Sequence, residues 1–349
     1  MHNWKYMAAC GLTAAVLLAG CGKVDGTQAA ITVDGETINL GTAAFEMRYQ
    51  QAETTSAMEM YGLISQGATL WDQSYEAEDG EGTITYGDEV KDSIKESLAK
   101  SVLLRKHAAD YGIEMPENVI EALDEAAKAT YEANADVLAG IGTTQEDVRS
   151  SMELGSYATL LYEAMTEDTD TEVSDEEAAQ TTVSYARIYF TSGDEEASEE
   201  NLEETKKKDM ELMQELLDKL LAEEDQAGVD FSTLADEVDS SIVTGSTSYG
   251  ADEEILPKEV TDAVASLKDG EIVSEIIETE NYYYIARLDA AFDEHATEHE
   301  KENIIETRKR ENYEAKLQEW LDAAEITTSA AWDALKIEDS DAWTVKHVQ

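Results

Sequence analysis

Hydrophobic residues recur at helical spacing over two separate stretches of this chain, and between them the period shortens to that of strands. Val90, Ile94, Leu98 and Val102 return every fourth residue, and Gly112 offers a stop just beyond. Tyr313, Leu317, Trp320, Leu321 and Ala324 form a second apolar stripe, within a helix expected over Glu298–Ala324. Between them, Val183–Thr191 is rich in β-branched and aromatic residues, as are Ile272–Thr279 and Tyr282–Leu288. The order strand, long helix, short helix, loop, short helix, hairpin belongs to an α+β fold.

The remaining elements follow from local signals. Ile31–Ile38 alternates around Asp34-Gly35, a hairpin signature. A helix is expected from near Thr42, with Phe45 and Tyr49 on one face. Further helices are expected at Glu117–Ala135, Thr144–Glu153 and Tyr157–Met165, the middle one opening on a Thr144-x-x-Asp147 box. A long helix should run from Ser198 to about Glu224, with Leu216 and Leu220 on its apolar side. Phe231–Val238 and Val260–Leu267 read as short helices and Ser240–Gly250 as a loop. The tail after Ile326 carries Trp332, Leu335 and Trp343 without a clear period.

The first residues read as an export signal. Lys5 precedes an apolar run, Ala8–Leu18, too short to span a bilayer, and small residues lead into Leu18-Ala19-Gly20-Cys21. That string resembles a bacterial lipobox, which implies lipidation of Cys21 and cleavage before it. Two acyl chains hold a protein stably on a membrane where one holds it marginally. The other cysteine, Cys10, lies within the signal, so no thiol is left for a disulfide or thiolate metal site. The net charge of −53 disfavours nucleic acid as a partner.

Several pieces, in order, resemble the PrsA and SurA families of extracytoplasmic foldases. They include the Ile31–Leu40 opening, Val90–Gly112 with its continuation, and the acidic hinge Val173–Glu177. Tyr185–Asp289 resembles the parvulin-type peptidyl-prolyl isomerase domain of those families. Its matching pieces include Ala186-Arg187-Ile188, Asp230–Ala235, Ile255-Leu256-Pro257, Ser266–Ile272 and Tyr283-Tyr284-Ile285. The resemblance implies a helical chaperone lobe with an inserted parvulin-like domain of antiparallel sheet and helices. It divides the chain into a signal (1–20), a lipidated tether (21–30), a helical lobe (31–177), a parvulin-like domain (178–293), and a C-terminal helix and tail (294–349) packing on the first lobe. It further implies unfolded or newly exported polypeptides as partners and a place on the outer face of the cell membrane. No cofactor and no metal are implied, and the oligomeric state stays open.

The family's two pocket histidines fall at Arg187 and Tyr284 here. Its pocket Cys or Asp falls at Asp239 or Ser240. The apolar wall that binds proline falls at Leu256, Val260 and Ala265. None of the five histidines lies within Tyr185–Asp289. An arginine is permanently charged where the family has a neutral ring, so a degenerate or weakly active isomerase is expected. The alternatives are an active isomerase with an altered pocket and, from a different class, a solute-binding or structural surface lipoprotein. His295-x-x-x-His299 has metal-ligand spacing but reads as a solvated helix start.

Overall fold

The computed structural model describes residues 24–65, 67–77, 80, 82–190 and 199–341. Cys21 and Trp343 lie outside them, as does Ser198. The chain divides into two compact units. Unit 1 holds the residues up to Asp168 and those from Asn312 onward, and unit 2 is Thr169–Glu311. The fold is mixed helix and antiparallel sheet, the α+β class expected.

In unit 1, β1 (Ala29–Val33) and β2 (Glu36–Asn39) form the Asp-Gly hairpin. Asp34 and Gly35 both take positive φ, 50° and 84°, as a two-residue turn between twisted strands requires. Asn39 then caps α1 (Leu40–Met60), its side chain accepting from the Thr42 amide at 2.9 Å. A small hairpin, β3 (Ser74–Glu76) with β4 (Thr83–Thr85), leads into α2 (Tyr86–His107). A 3-10 turn continues α2 and closes at Gly112, whose φ is 68°.

α3 (Glu117–Gly140) and α4 (Gln145–Thr166) follow. Thr144 and Asp147 form the reciprocal capping box, with the Thr144 amide donating to the Asp147 carboxylate at 2.7 Å. The break expected between Glu153 and Tyr157 is absent, and α4 runs through Gly155. A glycine inside a helix costs about 1 kcal/mol, and the buried Leu154 and Leu161 on either side offset it.

Unit 2 begins with β5 (Thr181–Tyr189), then α5 (Glu199–Ala222) and α6 (Phe231–Val238). Next come β6 (Val243–Tyr249), α7 (Lys258–Val264), β7 (Ile277–Glu278) and β8 (Tyr282–Ala290). The strands form one antiparallel sheet in the order β6-β5-β8-β7. Two expectations are corrected here. The Ser/Thr/Gly segment 240–250 is largely a strand, not a loop. Its residues bury little, so hydrophobicity gave no signal. The ladder to β5 holds it, together with a Thr182–Ser248 hydroxyl contact at 2.7 Å. Of Ile272–Thr279, only β7 is strand, with a single bridge from Ile272 to Arg287.

Strand alternation sends Ala186, Ile188 and Phe190, with Tyr283 and Ile285, into the cluster that holds Met213, Leu216, Leu217 and Leu220 of α5. α8 (Glu294–Ala323) then carries the chain back into unit 1. There Leu317 packs with Leu104, Leu161 and Met165. β9 (Ile326–Thr328) pairs antiparallel with β1, giving a sheet ordered β2-β1-β9. α9 (Ala330–Ala334) buries Trp332, and Lys91 of α2 donates to the Leu335 carbonyl at 2.7 Å. No helix among the described residues is long and apolar enough to cross a membrane.

Candidate functional site

The two residues that stand where histidines were expected are direct partners. Arg187 on β5 lies opposite Tyr284 on β8, the two central strands of the unit 2 sheet. Period-2 alternation puts Tyr185 and Tyr189 on the same face as Arg187, and Tyr282 on the same face as Tyr284. The Arg187 Nη1 donates to the Tyr284 hydroxyl at 3.3 Å. Its guanidinium carbon lies 5.0 Å from the Tyr282 ring centre and 5.8 Å from that of Tyr185. Both distances are within cation–π range. Tyr284 is 2% exposed, whereas Tyr189 is 50% exposed. The floor of this face is therefore closed and one end is open.

Neighbouring residues make room for the rings. Gly245 on β6 lies opposite Tyr185, and a Cβ there would stand 2.7 Å from the tyrosine oxygen. Val243, opposite Arg187, is 54% exposed on the same face. The hydrogen bond to Tyr284 is the first cause that holds the Arg187 pKa above its ordinary value. The group is a fixed cation.

The other expected pocket residues are placed differently. Asp239 ends α6 and turns its carboxylate onto Ser241, accepting from the amide at 2.9 Å and the hydroxyl at 2.6 Å. Those bonds hold its pKa below the usual carboxylate value. Ser240 is exposed in the same turn. Neither joins the hydrogen bond between Arg187 and Tyr284. Leu256 and Val260 are buried in the apolar cluster that contains Tyr284. Ala265 is not: it is the exposed C-cap of α7, and Val264 is the buried residue. Helical geometry gives the reason, because residues four apart share a face and Val264 is four beyond Val260. α7 packs on β7 and β8. The residues missed from sequence are thus Val264, readable from i,i+4 spacing, and Tyr185 and Tyr189, readable as i±2 from Arg187.

Unit 1 has a recess of its own, about 370 Å³, bordered by α1, α2 and α4. Ser93 and Ser97 of α2, with Ser151 and Gly155 of α4, are small and leave the space open, and Leu98 lines it. Glu46 reaches into it and accepts a hydrogen bond from the Ser151 hydroxyl. Burial pushes its pKa up, against the lowering effect of that bond. Among the described residues no three His, Cys, Asp or Glu side chains are placed to hold a metal.

Residues 173–302 match the family model of the PPIC-type PPIASE domain. The chain carries a PPIC-type domain. It is similar to several solved structures. One is the foldase protein PrsA of Streptococcus pneumoniae, 16% identical over 74% of this chain and 97% of that one, with a TM-score of 0.28. Another is the peptidylprolyl isomerase PrsA of Bacillus cereus, 15% identical over 75% and 96%, also at 0.28. A third comes from the Campylobacter jejuni pair PEB4 and Cj1289, described as SurA-like chaperones. It is 10% identical over 86% and 99%, at 0.28. No curated protein matches the chain significantly.

What a PPIC-type domain must do is lower a rotational barrier of about 18–20 kcal/mol about an amide. It does so by holding the twisted amide more tightly than either planar form, without an obligatory proton transfer. The Arg187–Tyr284 pair supplies N–H and O–H donors at the centre of the sheet. The apolar residues Leu256, Val260 and Val264 belong to the cluster that closes around Tyr284.

Proposed function

We propose that this chain is a foldase of exported proteins, held on the outer face of the membrane by lipid on Cys21. In this reading its PPIC-type domain binds prolyl segments and isomerises them slowly. The observation that carries the reading is the direct pairing of Arg187 and Tyr284 on the central strands of a sheet whose residues match the PPIC-type family. Donors at that position suit an amide whose nitrogen regains its lone pair as the C–N bond twists and resonance is lost. The fixed charge of Arg187 raises the cost of stripping water from the site, which is why slow turnover is expected. Tyr284 and Arg187 are the residues assigned to the amide. Ser240 is left out, because it is exposed in the turn after α6. Leu256 and Val260, with Val264 in place of Ala265, are assigned to the proline ring.

The test is exchange NMR on prolyl peptides with the full chain. Cis–trans exchange should accelerate measurably and fall to the uncatalysed rate in Tyr284→Phe. Absence of any acceleration would overturn the isomerase part. The chaperone part predicts that a modest molar excess of the chain slows aggregation of a denatured client. Its failure across several clients would overturn that part. For the tether, Cys21→Ser should move the protein from the membrane fraction to the soluble one.

A further inference from the structure

The cation at the centre of the sheet is held differently from most of those among the described residues. Acidic residues outnumber lysine and arginine 78 to 25. Most described cations are held by a carboxylate, as Lys106 is by Asp34 at 2.6 Å and Arg308 by Glu177 at 2.5 Å. Arg287, three residues beyond Tyr284 on β8, is fully used. It binds Asp289 at 2.5 Å and the carbonyls of Val229 and Gln226 at 2.8 and 3.0 Å. Arg187 has no carboxylate within ion-pair distance among the described residues. Its one hydrogen bond among the described residues is the 3.3 Å contact to Tyr284, and tyrosine rings lie beside it. A guanidinium has five N–H donors, and contact with a ring face consumes none of them.

Among the described residues such a group is held in place without being neutralised, in a chain rich in carboxylates. We infer that Arg187, flanked by Tyr185 and Tyr282, is an anion-recognising subsite that makes the PPIC-type face select prolyl segments carrying an acidic residue next to the proline. The inference rests on the reading of this face as a prolyl-binding site. A planar carboxylate fits the guanidinium fork with two parallel hydrogen bonds, which a lysine could not offer. Tyr189 and Val243, 50% and 54% exposed on the same face, offer apolar contact to the stem of a glutamate and to the chain beside it. The overall charge of −53 opposes an acidic client at long range. That opposition is screened beyond about 8 Å at physiological salt, while Arg187 acts at contact.

The experiment titrates the full chain with three peptides that differ only in the residue before one proline: glutamate, glutamine or lysine. Binding is read from amide shifts and turnover from cis–trans exchange. The glutamate peptide should bind about fivefold tighter than the glutamine peptide, with the lysine peptide weakest. The glutamate preference should vanish in Arg187→Gln and survive in part in Arg187→Lys. Equal binding of all three peptides overturns the inference and leaves the prolyl-binding reading intact. A preference for glutamate unchanged in Arg187→Gln also overturns it, by placing the recognition elsewhere. Tight binding of the glutamate peptide without faster exchange supports the subsite and overturns the isomerase. Binding of none of the peptides overturns both. The ranking by the native chain stands even if a variant misfolds.

Discussion

Arg187 in unit 2 and Glu46 in unit 1 are charges of opposite sign with the same peculiarity. Neither meets an opposite charge among the described residues, yet the chain has treated them differently. Arg187 sits on an open face among tyrosines, where the hydrogen bond to Tyr284 favours its charged form, and its pKa is raised. Glu46 sits in a recess where burial favours its neutral form, and its pKa is raised too. The same direction of shift has opposite meaning. It reinforces charge in the arginine and suppresses it in the glutamate. A cation supported by rings keeps its charge ready for a ligand. A carboxyl supported by one hydroxyl is a strained element of packing, relieved by a proton.

The comparison can be broken most forcefully at Tyr284. Tyr284→Ala removes a fully buried ring that also holds Arg187, and should cost about 3–5 kcal/mol in urea unfolding. A loss under 1 kcal/mol would mean that the ring is not the support described. Ser151→Ala deletes the one donor to Glu46 among the described residues and should cost about 1.5 kcal/mol at pH 7, falling in acid once Glu46 is protonated.

Glu46→Gln keeps that acceptor without the charge and should stabilise by about 1 kcal/mol at pH 7. The sign follows from linkage. A folded pKa above the unfolded one contributes stability that is present below the unfolded value and lost as pH rises through the folded one. The gain of the variant over the native chain should therefore be absent below about pH 4 and grow as pH rises. Unfolding at a series of pH values reads it directly. Arg187→Gln should have the smallest effect on stability, about 0.5–1 kcal/mol, because cation–π contacts at partly exposed sites are weak. Its effect should appear in peptide binding instead. A large loss of stability would make Arg187 a structural residue like Arg287.

What could be read from sequence was local in every case. Asp34-Gly35 announces its turn because only residues tolerant of positive φ fit there, and Thr144-x-x-Asp147 announces α4 because both partners of the cap lie within one turn. Arg187 and Tyr284 were located by resemblance, but their being partners was not legible. That depends on the register between strands 97 residues apart. β6 was missed because Val243–Tyr249 is small and polar, and its pairing with β5 sets its conformation more than its own side chains do. Strand alternation already separates Tyr283 from Tyr282 and Tyr284, and the sheet agrees, with Tyr283 packed against Phe190 at 4.5 Å on one face and its neighbours beside Arg187 on the other. That those rings surround Arg187 was not legible, because it depends on the pairing of β5 with β8.

The pairing of β1 with β9 carries a consequence for how unit 1 comes into being. Ile31 bonds across to Thr328, so the central strand of the first hairpin completes its ladder only when the far end of the chain arrives. Closing a loop of roughly 300 residues costs on the order of 5 kcal/mol in chain entropy, and the contact is about as non-local as this sequence permits. A chain delivered from its N-terminus holds β1 with one edge bare until then. Unit 2 waits less, because its widest strand pairing, β5 with β8, spans only about a third of that separation. Folding it first replaces nearly half of that loop with a compact body and shortens the search, so the order of synthesis and the order of folding need not coincide.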